Sequence, residues 1–270
     1  MTGHWLRLNK LFSDGKRAVI VAVDHGEFFG PTPGIIDLPE AITAAEQADG
    51  ILLSPGMMAH CGGVFGTRGA PLAIIRLNWS TVFCEQWDYD QARTVQVTTP
   101  QQALAMGADI CLASLTFTAV DEEQDARNVE LFSKLACQKR ECGIPLIGEF
   151  YPAAVGRLGQ EELHEKVYIA CRMLAELGAD AIKTFYTGDR FAEVTQAVPI
   201  PVFALGAEKL PKPVDALSLA SVSVKAGARG VVFGRNVIQA DDPALFLKGL
   251  KMVVKDEGTP QEVATQLGLD

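Results

Sequence analysis

The sequence predicts a single (β/α)8 barrel, the TIM barrel fold, over residues 1–270. Three observations carry this expectation. Short apolar runs recur along the chain, helical patterns separate most of them, and one phrase made of a helix, a glycine and a buried strand repeats. The length of 270 residues also fits one such barrel, which takes roughly 250.

The first four strands are expected at 18–23 (AVIVAV), 50–53 (GILL), 72–77 (LAIIRL) and 110–113 (ICLA). Four more follow at 145–150 (PLIGEF), 181–184 (AIKT), 201–205 (PVFAL) and 230–233 (GVVF). Continuous apolar runs of this kind suit strands buried on both faces. Between them, the segment 161–177 places Leu163, Val167, Ala170, Cys171, Leu174 and Leu177 at helical spacing, with Gly178 where a left-handed cap is wanted. The segment 125–142 repeats the pattern through Val129, Phe132, Leu135 and Ala136 up to Gly143, and a third helix over 214–226 stops at Gly227. "MGADICLA", "LGADAIKT" and "AGARGVVF" are versions of one structural phrase. An open doubly wound sheet is the alternative fold, weakened because no GxGxxG follows the first strand.

Composition narrows the function classes. No apolar run approaches the 18 or so residues of a membrane span, and the amino-terminal "MTGHWLRLNKLFSDGKR" lacks a signal-peptide pattern, so a cytoplasmic location is expected. A formal charge of −9 argues against nucleic acid or an anionic membrane as partner, while leaving room for a small anionic substrate. The six cysteines form no CxxC pair and are expected as buried, reduced thiols. His4, His25, His60 and His164 lack the spacing of a metal triad, so no metal is expected. Trp79 and Trp87 are expected to pack the loop after the third strand.

Ligands of such barrels gather at the carboxyl ends of the strands. Alternation places Asp24 on the face of Ile20 and Ala22, and puts Ile147, Glu149 and Tyr151 on one face. It also puts Lys183 on the face of Ala181, pointing into the barrel near Asp24 and Tyr151. Burial disfavours an ammonium, so a lysine placed there is a candidate nucleophile toward a ketone. Glu149 is a second candidate acid or base, or a salt-bridge partner of Arg76, and His25 is placed to bond a substrate or to fix its loop. After the eighth strand, Gly234 permits close backbone approach, and Arg235 and Asn236 open a helix whose free amides suit a phosphate.

The motifs "AVDHGEFFGP", "YP" after the fifth strand, "IKTFYTGD" after the sixth and "GARGVVFGRNVIQADDP" after the eighth resemble the DeoC/LacD superfamily. Within it they resemble the archaeal-type class I fructose-bisphosphate aldolases and their DhnA-like relatives. The resemblance implies an imine-forming Lys183, an Asp24 that orients hydroxyls, and Tyr151 as proton donor. It implies phosphate loops at Gly206 with Ala207 and at Gly234 with Arg235, a phosphorylated ketose or triose-phosphate substrate, no cofactor, and a homo-oligomeric ring such as a decamer. Two features depart from the aldolases: Gly206-Ala207 stands where a Gly-Gly pair is usual, and "YPAAVGR" replaces a Tyr-Pro-Arg-Gly phrase. The latter is similar to the thiolase branch, which uses coenzyme A. A transaldol-type synthase of an aromatic-amino-acid precursor is the other alternative.

Overall fold

Every expected apolar run pairs with a neighbour in parallel. The computed structural model describes residues 2–269 apart from 14, 16, 88 and 90. Its strands are β1 (Ala18–Ala22), β2 (Gly50–Leu53), β3 (Leu72–Arg76), β4 (Asn78–Ser80), β5 (Thr94–Gln96), β6 (Ile110–Leu115), β7 (Leu146–Phe150), β8 (Ala181–Thr184), β9 (Val202–Leu205) and β10 (Gly230–Phe233). Eight close into a barrel in the order β1-β10-β9-β8-β7-β6-β3-β2, while β4 and β5 form an antiparallel hairpin that the sequence reading did not anticipate. Helices lie between the barrel strands, including Glu122–Cys142, Gln160–Glu176 and Pro213–Lys225. The (β/α)8 expectation is met and the open-sheet alternative falls. None of the described helices is long and apolar enough to cross a membrane.

Strand alternation divides the apolar residues into two layers. Ile20, Ala22, Leu52, Ile74, Leu112, Ile147, Ala181, Phe203 and Val232 fill the barrel interior. Their neighbours Val19, Val21, Ile51, Ile75, Cys111, Ile182 and Val231 face outward and pack in the layer with the helices. Leu11 and Phe12 close the floor, with the Phe12 ring stacked on Phe203 at 6.0 Å. The preceding helix Thr2–Lys10 is held beneath the barrel by Arg7, which donates to the Gly143 carbonyl (3.2 Å), and by His4 against Asp180 (2.8 Å).

The repeated phrase has a structural reason at each letter. Gly143, Gly178 and Gly227 take positive φ (64°, 102° and 99°), the conformation that ends a helix without a Cβ clash. The aspartates that precede β2, β6 and β8 satisfy backbone amides of the adjacent strand. Asp49 accepts from Val19 N (2.7 Å), Asp109 from Ala73 N (3.1 Å) and Asp180 from Leu146 N (2.7 Å). The helix expected from 125 begins at Glu122, because the Asp121 side chain caps it by accepting from Gln124 N at 3.0 Å. The cysteine expectation needs correction. Cys61, Cys84, Cys111 and Cys171 are buried thiols, whereas Cys137 is exposed, on the outer face of the helix Glu122–Cys142, and Cys142 is partly buried against the core at its end.

The barrel closes at a seam that admits no side chain. Gly230 lies opposite Ala18 across the β1–β10 pair, and a Cβ there would fall 1.9 Å from the Ala18 carbonyl oxygen. Gly230→Ala is expected to lower unfolding free energy by about 3 kcal/mol or more, from forced separation of the two strands. Gly156→Ala, where nothing lies within 4 Å, is the matched control and should be close to neutral in the same urea titration.

Candidate active site

Strand register brings the reactive groups together. Glu149 of β7 pairs with Lys183 of β8, and Ser114 of β6 pairs with Glu149, so the interior-facing members meet at one level of the barrel mouth. Lys183 is 7% exposed, and its Nζ lies 2.5 Å from Glu149 Oε1. Arg76, at the end of β3 and 1% exposed, spans the site. Its Nε donates to Asp24 Oδ2 (2.6 Å), one terminal nitrogen to Ser114 Oγ (2.6 Å), and the other to Glu149 Oε2 (2.7 Å). Ser114 Oγ in turn donates to Glu149 Oε2 at 3.0 Å. Two buried anions thus face two buried cations.

The electrostatics follow from that pairing. Burial alone would push the Glu149 carboxyl up, but Arg76 and then Lys183 overrule it and hold it at about 2. Asp24 is likewise below the usual carboxylate range, because Arg76 and Lys183 outweigh burial. Burial holds His25 down at about 4, against the pull of Asp24, so its imidazole is neutral near pH 7. Glu27 goes the other way, raised to about 7 by burial.

An aromatic roof covers the charges. Phe28 and Phe83 flank the Arg76 guanidinium at 5.0 and 5.2 Å. The Tyr151 ring lies between Phe83 (4.7 Å) and Phe185 (5.1 Å). The unanticipated hairpin supplies part of this roof. Trp79 donates to the Glu27 carbonyl (3.2 Å), and Gln86 of the segment joining the two hairpin strands donates to the Phe28 carbonyl (2.6 Å). Trp79 packs there as expected, but Trp87 is 64% exposed, which corrects the expectation for that residue.

Roof and charges enclose a cavity of about 800 Å³ that takes in Asp24, His25, Glu149, Tyr151, Lys183, Gly206, Ala207, Gly234 and Arg235. All nine residues singled out in the sequence therefore meet at one place. Their detailed neighbours differ from expectation in three respects. Lys183 is buried as an ion pair with Glu149, and its direct partner is not Asp24, because Arg76 has drawn that carboxylate to itself. Gly206 is needed for packing, since a Cβ would lie 2.8 Å from the Phe233 ring. Gly234 admits His25, whose ring a Cβ would meet at 2.2 Å. Ala207 takes a left-handed φ of 49°. Arg235 lies over the Phe29 ring at 6.0 Å, and its Nε is buried with no hydrogen-bond partner among the described residues.

Two residues that organise this end of the barrel do so in roles the sequence did not show. Arg76 was considered only as a possible partner of Glu149; the signal for it was an arginine inside an otherwise apolar strand. Asn236 pins the loop after β9 by donating to the Gly206 and Glu208 carbonyls (2.8 and 3.0 Å) and accepting from Leu210 N (2.8 Å). The helix expected to start at Arg235 is a single turn, Arg235–Ile238.

Residues 18–240 match the profile of the DeoC/LacD family aldolases. The chain belongs to that family. It is 30% identical over 263 residues to an uncharacterized aldolase of Saccharolobus solfataricus, covering 95% of this chain and 96% of the other. A 3-hydroxy-5-phosphonooxypentane-2,4-dione thiolase of an Enterobacter species is 28% identical, over 95% of this chain and 82% of that one. Among solved structures, an archaeal fructose-1,6-bisphosphate aldolase with its catalytic lysine bound to a carbinolamine intermediate superposes with a TM-score of 0.80. It shares 25% identity over 93% of this chain and 99% of that one. The architecture is thus that of the class I, Schiff-base aldolases.

The buried charges also make a stability statement about this aldolase. Arg76→Met strands Asp24 and Glu149 without their shared cation and should cost about 3–5 kcal/mol in urea unfolding at pH 7. The sign with pH follows from Glu149, whose folded value of about 2 lies below its ordinary 4.5. Its stabilisation is full above pH 4.5 and is lost as the pH falls from there toward 2. In Arg76→Met the folded Glu149 carboxyl rises back toward its ordinary 4.5, so the stability lost between pH 4.5 and 2 should shrink, and an unchanged acid profile would show that the guanidinium does not hold the carboxylates.

Proposed function

We propose that this aldolase makes or breaks a carbon–carbon bond of a phosphorylated ketose, fructose 1,6-bisphosphate being the reference substrate, through an imine on Lys183. The observation that carries this reading is a buried lysine at the carboxyl end of a barrel strand. It opens on a cavity that Arg235 also lines, with an Nε that has no hydrogen-bond partner among the described residues. The Schiff-base aldolase of 25% identity supports the chemistry.

In this mechanism Lys183 condenses with the ketone, and the protonated imine accepts the electron pair released when the neighbouring carbon–carbon bond cleaves. The Tyr151 oxygen, deprotonated, takes the proton from the hydroxyl that becomes the aldehyde, and the resulting phenol returns it in the synthetic direction. Asp24, immobilised by Arg76, orients substrate hydroxyls, and neutral His25 offers a hydrogen bond. Arg235, with the backbone of Gly206, Ala207 and Gly234 around it, grips the phosphate and holds the ketone over the amine. The thiolase of 28% identity supports a second reading, acyl transfer from a phosphorylated diketone to coenzyme A. Coenzyme A consumed in proportion to turnover selects it, and turnover indifferent to coenzyme A removes it.

Incubation with dihydroxyacetone phosphate and borohydride should add one reduced adduct per chain, on the peptide containing Lys183. Lys183→Arg should abolish label and turnover while leaving the circular dichroism spectrum unchanged. Label on Lys209 with an active Lys183→Arg would overturn the assignment. Tyr151→Phe should retain labelling and lose about 10²–10⁴-fold in turnover. Arg235→Ala should weaken phosphorylated ligands by about 1.5–3 kcal/mol, with unphosphorylated analogues nearly unaffected in the same titration.

A further inference from the structure

A phosphate monoester near pH 7 is mostly a dianion, and an enclosed dianion needs positive charge close by to match it. The cations of the cavity are largely committed elsewhere. Arg76 and Lys183 are paired with Asp24 and Glu149. Arg157 lines the cavity from the turn after β7, three strands round the barrel from β10. Arg235 follows β10, its Nε enclosed and bonded to none of the described residues, and it supplies one charge where two are needed. The second comes from across the β1–β10 seam. These strands are paired, so the residues that leave them, Asp24-His25 and Gly234-Arg235, emerge side by side. The His25 ring lies against Gly234, where a Cβ would stand 2.2 Å from its Cε1 and 2.7 Å from its Nε2. The His25 carbonyl accepts from Phe28 N (3.0 Å) and Phe29 N (2.9 Å), which fixes the backbone beneath the ring. Its Nδ1 is buried with no hydrogen-bond partner among the described residues, and both side chains line the cavity.

We propose that His25 and Arg235 form one anion pocket, and that the imidazole takes a proton from solvent as a phosphate dianion seats, so that an imidazolium and a guanidinium share it. The proposal rests on Arg235 being the phosphate grip. The balance is a neutral imidazole, a dianion and one solvent proton giving an imidazolium beside the dianion. One N–H bond forms on the ring and no other bond changes. The hydrogen bond that His25 offers thereby becomes charge-assisted. An unphosphorylated analogue brings no charge and leaves the imidazole neutral. It forgoes this contact as well as that of the arginine, so the pair selects for phosphate.

The groups around His25 give the direction. Burial disfavours its cation, as do Lys183 from β8, Arg235 from beyond β10 and Arg76 from β3, while Asp24 beside it favours the cation. Glu208, on the loop after β9, lines the same cavity and is exposed. Glu27, close to Asp24 and raised to about 7, is also able to take up a proton near neutrality, and it serves as the control. In the free protein burial and the cations prevail, and His25 stays neutral down to about 4. A dianion at Arg235 offsets the guanidinium and adds a negative charge, which reverses the balance. The bound value therefore lies above the free one. The gain in binding is complete below the free value of about 4, declines as the pH rises from there, and is gone above the bound value.

The test is calorimetric titration with inorganic sulfate and with glycerol 3-phosphate near pH 7, in buffers of different ionisation enthalpy, which counts the protons taken up. Neither ligand has a ketone, so no imine forms, and sulfate brings no proton of its own. Each should bind with uptake of about one proton per chain, and sulfate affinity should fall about tenfold per pH unit from about pH 5 to about pH 7. His25→Gln should abolish the uptake and flatten the pH profile, whereas Glu27→Gln should retain both. A merely structural role for His25 would change the affinity without changing the proton count. In native protein carrying isotope-labelled histidine, one of the four imidazoles should pass from the neutral to the imidazolium nitrogen shifts when sulfate is added, a measurement that needs no variant to fold. Binding without proton uptake, uptake that persists in His25→Gln or is lost in Glu27→Gln, or no imidazole becoming charged overturns the proposal. Failure of both anions to bind, or binding indifferent to Arg235→Ala, refutes the phosphate reading itself, a result distinguishable from binding that takes up no proton.

Discussion

Arg76 lies between two carboxylates inside a barrel that is otherwise apolar, and the arrangement of the mouth depends on it. Desolvating four charges is costly unless each finds a partner of opposite sign in good geometry. The guanidinium supplies that geometry because its planar fork reaches Asp24, Ser114 and Glu149 from separate nitrogens. Its remaining surface is covered by the faces of Phe28 and Phe83. A lysine at this position could not address all of these partners with one point charge. The carboxylates held by Arg76 leave Lys183 with a fixed anion on one side and the cavity on the other.

That arrangement constrains the fold around it. A one-residue slip of β8 against β7 would turn Lys183 into the helix layer and put Ile182 at the mouth, so register here is a chemical requirement as well as a packing one. The strand-start aspartates help to set such registers, each bonding an amide of the preceding barrel strand. At the opposite end, the interior is closed by the apolar Leu11 and Phe12, the latter with the Arg229 guanidinium over its ring at 4.7 Å, so the buried charge network lies at the mouth. Stability and reactivity are thereby separated along the barrel axis.

The roof adds a second constraint. A charged network open to water would be screened and its side chains mobile. The hairpin β4–β5 and the helical turn Gly26–Phe29 bring Phe28, Phe83 and Trp79 over it, and backbone carbonyls of that turn accept from Trp79 and Gln86. The cavity that results is polar where the amine lies and aromatic above. The proposed substrate, a small phosphorylated ketone, matches that division.

The sequence by itself determined the barrel, its eight strands, the helix stops and the inward face of Asp24, Glu149, Tyr151 and Lys183. These follow from local periodicity, from glycine's access to positive φ, and from the two-residue repeat of a strand. The family was legible for the same reason, because its motifs fall at strand ends in chain order. Which carboxylate meets the lysine was not legible. Asp24 and Glu149 share the interior, and only the lateral register of β7 on β8, together with an arginine from β3, assigns Glu149 to Nζ and Asp24 to the guanidinium. The hairpin roof was hidden because its strands, Asn78–Ser80 and Thr94–Gln96, are too short and polar to show periodicity. That Gly206 and Gly234 are also packing positions, where a Cβ would meet Phe233 and His25, was likewise hidden. Contacts between elements distant in sequence made these decisions, and no local pattern encodes them.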